Sequence, residues 1–76
     1  MRRTSIQGND NVTKLLEIAA DLIGRSDLDV SVYSKRLEDE LYTNVEHLAG
    51  EDVDVLSRYM PRRLAKKVNQ LLLLMD

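Results

Sequence analysis

His47 is the only imidazole in this 76-residue chain, and there is no cysteine. A serine or threonine nucleophile would have to use His47 as its base, and no companion nucleophile or oxyanion-hole pattern accompanies it. Glu46, His47 and Glu51 offer one imidazole and two carboxylates. Zinc sites usually present three or four ligands of better type. Glu38, Asp39 and Glu40 are adjacent in sequence, but adjacent residues on a helix point in different directions and do not form an acid–base pair. A small helical bundle also rarely encloses a substrate-sized pocket. The residues therefore read as a non-enzyme with no catalytic, metal or cofactor-binding set and no small-molecule substrate.

Charge is more informative, because it is unevenly spread. The net value is −2. Residues 9–54 carry four basic and twelve acidic side chains, whereas residues 55–76 carry Arg58, Arg62, Arg63, Lys66 and Lys67 against Asp76 alone. Arg2 and Arg3 add a basic N-terminal arm. Arg62 and Arg63 directly follow Pro61, a residue suited to the first position of a helix. Cations at a helix start oppose its dipole, at about 0.3–1 kcal/mol each, so an anion is expected beside them. It can be external, a nucleic-acid phosphate or an acidic partner. It can also be internal: Glu38–Asp39–Glu40, or the acidic start of the preceding helix. The acidic composition, the three tyrosines and the missing zinc-finger and glycine-rich phosphate motifs speak against a dedicated nucleic-acid binder.

The elements that must position these residues follow from apolar spacing. Val12, Leu15, Leu16, Ala19, Leu22 and Ile23 fall on one side at 100° per residue. With Asn9, Asp10 and Asn11 each suited to cap it and Gly24 as a stop, they predict a helix over about 11–23. Val30, Tyr33, Leu37, Leu41, Val45 and Leu48 continue at spacings of three or four, which predicts a helix over about 30–48, entered through Asp27 or Asp29 and ended by Gly50. Glu51, Asp52 and Asp54 favour the start of a third helix over about 52–59. Pro61 then opens a fourth over about 61–74, the alternative being one helix kinked there. The expected architecture is an all-α bundle of three to four short helices: a flexible arm over 1–8, then one helical domain over 9–76.

The last helix carries more apolar surface than a small bundle readily covers. Leu71, Leu72 and Met75 share its stripe with Leu64 and Val68, while Leu73 and Leu74 project to the basic side. A helix apolar all round is normally buried all round. Leu71–Met75 are therefore expected at a subunit or partner interface, with the off-stripe Tyr42 and Tyr59 as further contributors. Arg2, Arg3, Arg58, Arg62, Arg63, Lys66 and Lys67 are the candidate anion or nucleic-acid contacts. No apolar run approaches the roughly 20 residues of a membrane span, and no apolar stretch follows Arg2 and Arg3 as a secretory signal requires. The chain is expected in the cytoplasm as a homo-oligomeric adaptor or regulator that engages a protein partner. The alternative is a regulator that binds nucleic acid through the basic face of the last helix.

Overall fold

The computed structural model describes residues 9–74 and is all-helical: α1 (Val12–Leu22), α2 (Ser31–Asp39), α3 (Val45–Leu48), α4 (Val53–Leu56) and α5 (Arg62–Leu74). No strand occurs among the described residues beyond an isolated antiparallel bridge between Asn11 and Asn44. The arm over 1–8, with Arg2 and Arg3, lies outside the described residues, as does Met75.

α1 follows its sequence signals closely. The Asn11 side chain accepts from the Thr13 amide at 2.7 Å, satisfying one of the donors a helix start leaves open. At the other end Gly24 takes φ 78°. The Gly24 amide donates to the Asp21 carbonyl, and the Arg25 amide to the Ala20 carbonyl at 2.8 Å. This paired closure is the Schellman motif, and it needs a left-handed residue at the Gly24 position.

The helix expected over 30–48 is two helices. α2 ends at Asp39, and Leu41 adopts φ 70°. The Leu41 amide donates to the Glu38 carbonyl and the Tyr42 amide to the Leu37 carbonyl, both at 2.9 Å. This is a second Schellman closure, with leucine in the place that glycine took at the end of α1. A left-handed non-glycine residue costs roughly 1–2 kcal/mol. Three carboxylates, Glu38, Asp39 and Glu40, crowd the helix end, where the dipole disfavours negative charge. The segment released by the break is used at once. Val12 donates to the Thr43 carbonyl at 3.2 Å, and Val45 donates to the Asp10 carbonyl at 2.8 Å. Leu41, expected on the buried stripe, is 80% exposed instead.

α4 is shorter than the predicted 52–59. Asp52 caps it by accepting from the Val55 amide at 3.0 Å, and residues 57–59 continue as turns. Pro61 separates two helices and does not kink one. Its carbonyl accepts the Ala65 amide at 2.9 Å, so Arg62 is the first residue of α5.

α1 packs against α2 and α5, and α4 packs against α5. Their apolar faces meet in one core that includes Leu15, Leu16, Leu37, Leu48, Leu56, Leu64 and Val68, all fully enclosed. Ser34 is the buried polar residue among those described, and its Oγ donates to the Ser31 carbonyl at 3.1 Å. Leu22, expected on the buried side of α1, is 54% exposed in the last turn of that helix.

Candidate interaction surfaces

The N-terminal end of α5 carries the basic cluster. Arg62 Nη1 meets Asp54 Oδ1 of α4 at 3.4 Å. The anion beside this cation is therefore internal and comes from the acidic start of the preceding helix. Both partners are mostly exposed, so solvent and salt screen the pair. Arg58, Arg63 and Lys66 are exposed and form no ion pair among the described residues. Lys67 is half-buried, and its Nζ donates to Gln70 Oε1 at 2.8 Å. Of the five basic residues expected to act together, three remain open to a partner.

The C-terminal end of α5 is divided by face. Leu71 is buried and Leu72 half-buried, whereas Leu73 and Leu74 are 76% and 79% exposed. The 100° step explains the division: the residues that follow Leu64 and Val68 around the helix face α1, and the next two turn away.

Tyr42 and Tyr59 meet each other. Their ring centroids lie 6.1 Å apart at an interplanar angle of 62°, the edge-to-face arrangement aromatic quadrupoles prefer. Both are half-buried and packed against the core. The Tyr42 hydroxyl donates to Glu51 Oε2 at 3.2 Å. The accepting carboxylate, then partial burial and the charge of Glu51, raise the Tyr42 hydroxyl above its ordinary value. Only part of each ring is left for a partner.

His47 is occupied locally. Its Nδ1 accepts from the backbone amides of Thr43 at 3.2 Å and Asn44 at 3.3 Å, which ties the entry of α3. Nδ1 is thus engaged by two backbone amides, and a metal could use it only by displacing them. No group of three His, Asp or Glu side chains among the described residues could hold a metal ion.

An open cleft of about 330 Å³ lies between α1 and the start of α2, lined by Thr13, Glu17, Ser26, Leu28, Asp29 and Ser31 among others. Asp29 is already engaged there. It accepts from the Ser31 hydroxyl at 2.6 Å and the Ser31 amide at 3.1 Å.

One surface feature escaped the sequence reading: the exposed turn Glu38–Leu41. Its sole local signal is three consecutive carboxylates where a helix end disfavours them. No described helix is long and apolar enough to cross a membrane. No protein-family model, curated protein or solved structure matches the chain.

Proposed function

We propose that the chain is a non-enzymatic, helical protein-interaction module that self-associates through the last turn of α5. The observation that carries this reading is the adjacent pair Leu73 and Leu74, more than three-quarters exposed on a helix whose opposite face already lies in the core. Enclosing a leucine side chain is worth about 1.5–3 kcal/mol. A second chain that covers both gives association a driving force. The acidic α2 end and the open cations of α5 then bias the relative orientation by charge complementarity. The role is that of an adaptor or regulator in the cytoplasm.

Light scattering at micromolar concentration tests it. The expected mass is a multiple of 8.7 kDa, and Leu73→Lys or Leu74→Lys returns the chain to a monomer. A wild-type monomer, unchanged by either substitution, overturns the reading.

A second reading rests on a different observation. Arg58, Arg63 and Lys66 are exposed and unpaired among the described residues, which favours contact with nucleic-acid phosphates. Phosphate contacts release counterions, so binding in a gel shift should fall steeply between about 50 and 200 mM salt. No shift even at the lower salt removes this reading and leaves the first.

A further inference from the structure

Residues 10–12 and 43–45 run beside each other where the start of α1 meets the entry of α3. The Val12 amide donates to the Thr43 carbonyl at 3.2 Å, and the Val45 amide to the Asp10 carbonyl at 2.8 Å, on either side of the Asn11–Asn44 bridge. Thr43 and Asn44 turn their own amides toward His47. Its Nδ1 accepts from Thr43 at 3.2 Å and from Asn44 at 3.3 Å. Asn44 is the cap of α3, and His47 holds the third helical position after it. A capping box ordinarily carries glutamate or glutamine there. A neutral imidazole can take their place because one of its nitrogens is an acceptor. A charged imidazole carries a proton on both nitrogens and accepts nothing.

We propose that His47 is a proton-operated latch on this crossing. The neutral imidazole fastens Thr43 and Asn44 in the conformation that meets the start of α1, and protonation releases them. Histidine is the side chain whose charge ordinarily changes between about pH 5 and 8, and His47 is the only one in the chain. The imidazole is exposed, so protons reach it without any opening of the fold. The Thr43 hydroxyl lies 3.5 Å from Nδ1. It can take the added proton but cannot replace the acceptor that the two amides lose. Among the charged side chains of the segments that meet here, Glu46 is exposed on α3, Asp10 and Lys14 pair with each other at 3.3 Å on the α1 side, and Glu51 accepts from the Tyr42 hydroxyl. No ion pair among the described residues includes His47, and the charge of these groups restores no acceptor to a protonated Nδ1. The direction of the effect follows. A proton enters Nδ1 of the folded chain only by breaking two hydrogen bonds, whereas it enters the unfolded chain freely. The stabilisation is therefore complete above the histidine range and is lost as pH falls through it. The latch works within one chain and needs no association through Leu73 and Leu74.

Urea unfolding of the full chain at about pH 8 and about pH 5, the two ends of the histidine range, tests the latch. His47→Gln and His47→Ala are measured in parallel. Loss of a helix cap lowers the folding equilibrium constant about 2–30-fold. Glutamine keeps an acceptor at this place and does not titrate. Relative to His47→Gln, wild type should be equal at the higher pH and weaker by that factor at the lower one. His47→Ala has no acceptor and should be weaker by that factor at both. Every other titrating group is common to the three chains, so the comparison isolates the imidazole. In ¹⁵N-labelled wild type the amide signals of Thr43 and Asn44 should move through the same transition as the imidazole signals, and in His47→Gln they should stay in place. Wild type that tracks His47→Gln at both pH values overturns the proposal. So do Thr43 and Asn44 amides that stay fixed while the imidazole titrates.

Discussion

The Tyr42 amide reaches back to the Leu37 carbonyl at 2.9 Å, and Leu41 is held between them at φ 70°. This closure ends α2 without a glycine. Leu41→Gly relieves the left-handed strain, worth roughly 1–2 kcal/mol. It adds back about 0.5–1 kcal/mol of chain entropy. The net expectation is a urea midpoint equal to wild type or slightly higher. Leu41→Val, β-branched and intolerant of positive φ, should lower the midpoint by the equivalent of about 1 kcal/mol or more. A substantially destabilised glycine variant would show that the leucine side chain contributes to the fold.

Leu16 and Leu64 are both fully enclosed, one on each of the packed helices α1 and α5. Truncation of either to alanine should cost about 2–5 kcal/mol. Small domains hold only about 0.05–0.15 kcal/mol per residue in total, so either variant should melt about 10–30 °C below wild type by circular dichroism. Leu74→Ala, at an exposed position, should stay within about 0.5 kcal/mol of the wild-type monomer.

Acid acts at the start of α2 through Asp29. The Ser31 hydroxyl, then the Ser31 amide, hold the Asp29 carboxyl below its ordinary 3.8, with slight burial opposing. The folded state therefore binds this proton less readily than the unfolded chain. The stabilisation is complete above the ordinary aspartate value and is lost as pH falls through the lower folded one. Ser31→Ala should flatten the part of the acid denaturation curve just below pH 4, measured against wild type by thermal melts.

Alkali acts at Tyr42 with the opposite sign. Its hydroxyl is raised by the Glu51 carboxylate it donates to, then by partial burial. The folded state holds this proton more tightly. The contribution is complete below the ordinary tyrosine value of 10.0 and disappears as pH rises through the folded one. Glu51→Gln should bring the Tyr42 transition toward the ordinary value in an ultraviolet phenolate titration. An unchanged transition would mean that the 3.2 Å contact does not persist in solution.

The helical class and most helix ends were legible because local chemistry punctuates them. Asn11, Gly24, Asp52 and Pro61 each act within a few residues of themselves, as caps, a stop and a separator. The exposure of Leu73 and Leu74 was legible from angle alone. The break at Leu41 was not. Leu37, Leu41, Val45 and Leu48 keep helical spacing straight through it, and no glycine or proline marks it. It is set by partners far along the chain, the backbone groups of Asp10 and Val12. The anion beside Arg62 was legible only as a choice between an external anion and two acidic segments of the chain itself. Its assignment to Asp54 required the turn of chain before Pro61 that brings α4 beside α5.

Those distant partners also bear on how the molecule assembles. Asp10 and Val12 are stitched to Val45 and Thr43 through their backbones, so α1, α2 and the loops that follow them form a ring closed at its neck. Closure of a ring this long carries an entropic penalty that grows only slowly with its length. The helices within it can form early, but the neck can close only once the two halves have met. The amides of Val12 and Val45 should therefore exchange with solvent only when the whole domain opens. They are natural reporters of global opening, when the ends of the ring part.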